Sequence, residues 1–296
     1  MAGTDGRILE RAAFAPPAWC FREDGAGLKE ACAHLAEVEA ERIAYASDGL
    51  SVQGFLVRPK GPGPWPCVIC NRGGNRDFAA IDPAAVVDLL CRIASWGYVV
   101  AASQYRGWGE SGGRDEFGGA DLDDVMNLFP LLEAEPAADT ARIGMYGGSR
   151  GGMMTLLALA RTDRVRAAVL RCGVTDLTGW RQERGDMEAV FKELIPGYDP
   201  ADDTPLRARS AVNWAGRLCR STPILLMQGN ADWRVNPVSA LRFAERLLAA
   251  DHPFRLVMLE GADHALSGHI PERNRLTRDW FDRFVRDREP VPRGMD

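Results

Sequence analysis

Apolar residues along this chain fall into two patterns that alternate from residue 67 onward. Nearly continuous apolar runs stand at 67–71, 98–102, 143–146, 165–170, 224–227 and 255–259. Between them, at 83–95, 121–133, 151–161, 237–249 and 271–286, apolar positions recur every three or four residues. Such runs predict strands buried on both faces, and the longer spacing predicts amphipathic helices. The alternation predicts an α/β fold with a mostly parallel sheet flanked by helices. Ahead of it, 41–46 and 51–58 flank Ser47-Asp48-Gly49 and predict a β-hairpin. A helix is predicted over 26–39, with Leu28, Ala31, Cys32, Leu35 and Val38 as its apolar stripe.

The rhythm breaks once, at residues 173–216, a stretch too long for one crossover helix. Two short helical pieces are predicted there, at 184–194 and 204–214, on either side of the turn Pro196-Gly197-Tyr198-Asp199-Pro200. A cap-like insertion leaving the carboxyl end of a central strand would lie over the ligand crevice of an open sheet. The expected organisation is a helical extension over 1–40, one α/β domain over 41–290 that includes the insertion, and a tail over 291–296.

Composition narrows the function classes. Apolar residues make up 46% and charged residues 26%, with a net charge of −5 and no basic tract, so no nucleic-acid partner is expected. No apolar stretch approaches membrane-spanning length, and the first residues lack the apolar core of a signal peptide, so no membrane partner and a cytoplasmic location are expected. The seven cysteines are odd in number and scattered through apolar segments, against a disulfide framework. Cys67 and Cys70 have CxxC spacing, but residues three apart in a strand face opposite ways, which excludes a shared metal. Neither a cofactor nor a metal is expected, and a homo-oligomer is as compatible with the pattern as a monomer.

Candidate chemistry centres on Gly147-Gly148-Ser149-Arg150-Gly151-Gly152, between a predicted strand and a predicted helix. Gly-x-Ser-x-Gly in that setting reads as a nucleophile elbow, with the serine on a tight turn above the sheet. The glycine order does not fit a dinucleotide fingerprint, no Gly-Lys-Ser/Thr follows as in a P-loop, and an inert serine in a Gly-rich turn is the remaining alternative. A serine needs a base, and histidine suits proton exchange near neutral pH. Of His34, His252, His264 and His269, only the last two follow a strand on the nucleophile's edge, and His264 stands nearer the strand end. Asp232, in the loop after 224–227, is the candidate to orient it. Asp263, Asp199, Asp202 and Asp203 are the weaker candidates. The order Ser149, Asp232, His264 is that of α/β-hydrolases. The backbone N–H of Arg150 and that of Gly73 or Gly74 are the candidate oxyanion donors.

With Asn71-Arg72-Gly73-Gly74, Tyr105-Arg106-Gly107-Trp108-Gly109-Glu110-Ser111-Gly112-Gly113, Gly147-Gly148-Ser149-Arg150-Gly151-Gly152, Gly229-x-x-Asp232-x-x-Val235 and His264 in hand, the chain resembles the catalytic domain of the prolyl oligopeptidase family of serine peptidases over roughly 41–287. The resemblance implies an eight-stranded α/β-hydrolase sheet and acyl transfer through a covalent acyl-enzyme on a small-molecule or short peptide substrate. A carboxylesterase acting on small acyl esters is the alternative reading, and a non-enzymatic binding protein on the same fold a third. Two features depart from the family pattern. Forty residues ahead of the hairpin cannot hold the propeller that long members carry, and the usual His-Gly-Gly-Pro reads Asn71-Arg72-Gly73-Gly74-Asn75. Arg72 and Arg106, with Arg150, are candidates either for binding a substrate carboxylate or for a structural network. Glu183 or Glu188 is the candidate for holding a substrate amine.

Overall fold

The computed structural model describes residues 5–24 and 27–292. The apolar runs become β4 (Trp65–Asn71), β5 (Val99–Ser103), β6 (Ala138–Gly148), β7 (Val165–Arg171), β8 (Ile224–Gly229) and β9 (Phe254–Leu259). All six run parallel, in the order β5-β4-β6-β7-β8-β9. The predicted hairpin is β2 (Val38–Ser47) and β3 (Leu50–Pro59), paired from Ser47↔Leu50 outward. Its turn residues Asp48 and Gly49 both have positive φ, 49° and 78°, the geometry that matches a two-residue turn to the strand twist.

The sheet has nine strands among the described residues, one more than expected. The addition is β1 (Ile8–Ala13), antiparallel to β2 at the sheet edge. Five of its six residues are exposed, so backbone pairing holds it and no apolar alternation announces it. Charged Glu10 and Arg11 suit an unpaired edge. The helix expected over 26–39 is instead a run of 3-10 turns over Glu30–Glu37. Only Cys32 and Leu35 are buried in it, and Val38 belongs to β2, so the stripe is too thin to hold a regular helix. Position 26 of that prediction, the first four residues of the extension and the last four of the tail lie outside the described residues.

Helices cover both faces. On one side, the Arg150–Leu159 helix and two short helices, Asp121–Met126 and Leu128–Glu133, pack on Ile69, Ala101, Met145 and Leu170. The predicted single helix over 121–133 breaks at Asn127 because Pro130 has no N–H and its ring crowds the carbonyl four residues back. On the other side, the turns over 83–95 and the Ile270–Phe281 helix pack on Val68, Cys70, Val100 and Val169. Cys67 faces the first layer and Cys70 the second, as strand geometry requires. Residues 173–216 hold three helices, Leu177–Glu183, Met187–Leu194 and Thr204–Ala208. Parallel pairing of β4–β9 sends the loops after these strands to one edge, where the candidate residues stand.

Candidate active site

Ser149 ends β6 and starts the Arg150–Leu159 helix with φ 56° and ψ −126°, a conformation costly for a residue with a side chain. Packing around the turn enforces it. A Cβ on Gly147 would lie 2.1 Å from the Gly151 carbonyl oxygen, and one on Gly151 would lie 2.0 Å from that of Asn71. Backbone therefore passes backbone where only glycine fits. The Ser149 amide donates to the Arg171 carbonyl at 3.0 Å, and its carbonyl accepts from Val174 at 3.0 Å, which ties the elbow to the end of β7.

Asp232 and His264, from the loops after β8 and β9, meet at 2.8 Å between Oδ2 and Nδ1. Asp232 is buried, and its other contacts come from the amides of Arg234 (2.8 Å) and Val235 (3.0 Å) to Oδ1 and from Gln228 Nε2 (3.1 Å) to Oδ2. Burial works to raise its pKa, but the bond from His264 and these amides outweigh it and hold the carboxyl below its usual range. Asp263 turns away to cap its own loop through Ser267 and Ala265. His269 Nε2 lies 3.1 Å from the Glu260 carbonyl, and His34 and His252 contact the carbonyls of Val87 and Thr222.

Ser149 and His264 line one cavity of about 620 Å³. Phe117, Trp180, Met187 and Val190 give it an apolar wall, the last three contributed by the insertion. At its mouth, rings and guanidinium groups alternate across three loops. Arg234 lies 5.1 Å from the ring centroid of Phe78 and 4.6 Å from that of Trp233, and Arg184 lies 5.5 Å from Trp233 and 5.9 Å from Trp180. Trp233 is 68% exposed and Trp180 is buried in the core, so this stack runs from the core out to solvent.

The arginine candidates separate. Arg106 does not line the cavity: it grips buried Asp124 through Nε and Nη2 (3.1 and 2.8 Å) and reaches Asp48 at 2.7 Å, bracing the loop after β5 against the hairpin. Its charge is committed to structure, which corrects the substrate-binding expectation. Glu183 is corrected too. It is exposed, accepts from Asn236 at 2.9 Å and faces a separate hollow, while Glu188 binds the Tyr198 hydroxyl at 2.7 Å. The Arg150 side chain points below the site and donates to Asp115 (2.7 Å from each of Nη1 and Nη2), Asp121 (2.6 Å) and the Gly74 carbonyl (3.0 Å). It thereby fastens the loop carrying Gly73 and Gly74. Arg72 lines the cavity and has no carboxylate partner within 4 Å among the described residues.

Sequence reasoning passed over the end of β7. Arg171 donates from Nη1 to the His264 carbonyl at 2.8 Å and lies across Gly148, where a Cβ would meet its Nη2 at 2.6 Å. The Cys172 thiol lies beside Asp232 and His264, with donor atoms of all three within 4.8 Å of one another. Burial first, and Asp232 as well, push that thiol up to about 12. The three do not suit a metal, because four hydrogen bonds already fill the lone pairs of Asp232. One signal was available: residues 171 and 172 end a strand on the same edge as Ser149.

Fold and site define an α/β-hydrolase equipped for acyl transfer by a serine. The prolyl oligopeptidase family model matches residues 87–288. The "Uncharacterized peptidase YtmA" of Bacillus subtilis is 30% identical over 212 residues, 71% of this chain and 80% of that protein. The chain belongs to the prolyl oligopeptidase family, and it is a serine hydrolase of the peptidase class. Among solved structures it is similar to a Mycobacterium tuberculosis puromycin-hydrolyzing peptidase (TM-score 0.73, 26% identity, 93% of this chain and 43% of that one). It shares its fold with a Pyrococcus horikoshii acylaminoacyl peptidase (TM-score 0.72, 22% identity, 88% and 43%). The chain thus spans less than half the length of these solved relatives. No helix among the described residues is long and apolar enough to cross a membrane.

Proposed function

We propose that Ser149 is the nucleophile, His264 the general base and acid, and Asp232 the group that orients the imidazole, and that the reaction is cleavage of peptide or aminoacyl amide bonds in small substrates. The observation that carries this reading is the 2.8 Å Asp232–His264 contact on the same sheet edge and cavity as the strained Ser149 elbow. With Nδ1 engaged by Asp232, Nε2 is the nitrogen left to exchange protons, and among the described residues it has no hydrogen bond. It closes on the Ser149 hydroxyl when substrate orders the site.

The serine oxygen bonds to the scissile carbonyl carbon as its proton passes to Nε2. The tetrahedral intermediate collapses as Nε2 returns that proton to the departing amine, leaving an acyl-serine. Water then attacks by the same proton route and releases the acid. The developing oxyanion is met by the Arg150 amide, one of the free N–H groups at a helix N-terminus, and by the amide of Gly73. A Cβ on Gly73 would sit 3.2 Å from that of Ser149, whereas Gly74 packs against Phe78, so Gly73 is the closer donor. Neither glycine amide donates to a protein group among the described residues. The names of the similar structures, an acylaminoacyl peptidase and a puromycin-hydrolyzing peptidase, support a small amide substrate. All seven cysteines are unpaired, which supports a reducing compartment, the cytoplasm.

An activated ester leaves without proton donation, so the discriminating assay compares matched aminoacyl anilides and short-chain acyl esters by kcat/KM. The expected result is anilide cleavage that Ser149→Ala abolishes. Efficient ester hydrolysis with no detectable anilide or peptide cleavage would make the enzyme a carboxylesterase instead.

A further inference from the structure

We infer that Arg72 is a specificity residue and that the acyl group of the substrate carries a carboxylate. This rests on the assignment of Ser149 and His264 above and extends it to substrate class.

Arg72 is 5% exposed, yet its Nε and Nη1 find no hydrogen-bond partner, and Nη2 alone donates, to the Arg76 carbonyl at 2.6 Å. A second cation lies beside it: Arg72 and Arg150 lie over the same Tyr105 ring, at 5.6 and 5.3 Å from its centroid. Asp115 and Asp77 attract Arg72 without forming an ion pair, and both Asp115 oxygens are held by Arg150. A guanidinium buried without a carboxylate and beside a second cation is costly in a folded chain. Arg106 and Arg150 are each paired with two acids, whereas Arg72 is paired with none among the described residues. An anion supplied by substrate would complete its set, and a carboxylate matches the planar guanidinium best.

The side of the scissile bond follows from the neighbours of Arg72. Arg72 adjoins Gly73, and through Arg150, whose guanidinium lies 4.5 Å from the Phe117 centroid, it borders the apolar wall of the cavity. His264, which protonates the leaving amine, comes from a different loop and is tied to Arg171 through its carbonyl. The acyl portion is accordingly assigned to the Arg72 side, next to the oxyanion loop, and the leaving group to the His264 side. The cavity offers no spare carboxylate for a free amine: Asp186 is paired with Arg184, and Asp82 caps the turn at Ala85. A glutamyl or aspartyl residue, or a dicarboxylic acyl group, fits this lining.

The test uses N-acetyl-glutamyl and N-acetyl-glutaminyl p-nitroanilides and the corresponding p-nitrophenyl esters, which differ only in the acyl-side charge. Wild type is expected to favour the glutamyl member by about tenfold or more, the size of a charge-assisted hydrogen bond. In Arg72→Gln that ratio should fall to about one. Arg72→Lys, which keeps the charge and loses the fork, should keep part of it. Phosphonate labelling of Ser149 reports that each variant is folded. A wild-type ratio of one on whichever series is turned over, or a preference that survives Arg72→Gln, overturns the inference. A preference found only for a carboxylate on the leaving group overturns it too. Loss of anilide cleavage with ester turnover retained would instead defeat the peptidase reading, and the ratio is then read from the esters. Protection of Ser149 from the phosphonate by N-acetylglutamate over N-acetylglutamine gives the same ratio without turnover.

Discussion

Replacing Arg150 with Met keeps the apolar stem of a side chain that is 1% exposed and removes the cation that Asp115 and Asp121 grip at 2.7 and 2.6 Å. Breaking a buried ion pair from one side costs ~3–5 kcal/mol, since the remaining charge stays out of water. That is a large share of the ~5–15 kcal/mol that holds a domain folded. The pH dependence has a definite sign. Burial works to raise the Asp115 pKa, but Arg150 and the Phe117 and Arg76 amides outweigh it, so the carboxyl titrates below its usual range. A depressed folded pKa contributes stability that is present above the unfolded value and lost as pH falls through the folded one. In Arg150→Met the balance reverses at Asp115. Burial without the cation lifts its pKa, and protonation then favours the folded state. The deficit of the variant is therefore largest at about pH 8 and shrinks toward about pH 5. Urea unfolding followed by tryptophan fluorescence at several pH values measures it. A cost under about 1 kcal/mol at about pH 8, or one that does not change with pH, would refute the reasoning.

Two further outcomes follow from the site. Asp232→Asn should fold normally and lose about 10⁴-fold in kcat, because the amide cannot hold the imidazole in the working tautomer; comparable kcat would point to another acid. Thiol titration of the native protein should find one fast cysteine, Cys219, with the six buried ones slow. Rapid modification of Cys172 with loss of activity would contradict its raised pKa and burial beside Asp232.

The sequence made the parallel sheet legible because most of its strands are buried on both faces and read as nearly continuous apolar runs. It made Ser149, Asp232 and His264 legible as candidates because strand ends on one edge share a crevice. β1 was not legible, since a strand exposed on both sides carries no period and is held by backbone pairing. Nor could spacing separate the arginines. Arg106 and Arg150 find their acids 18 to 58 residues away, across loops whose folding no local pattern encodes. Arg171 and Cys172 hid in a strand's last turn of chain, where their side chains read as a broken apolar run.

Reaction with a fluorophosphonate probe tests the central claim most directly, because the reagent requires an activated serine and no knowledge of substrate. Intact mass and peptide mapping should show a single adduct, at Ser149, absent from Ser149→Ala and formed far more slowly in Asp232→Asn. An adduct that persists in Ser149→Ala, or that maps to another residue of the wild type, would contradict the assignment of the nucleophile and the mechanism built on it.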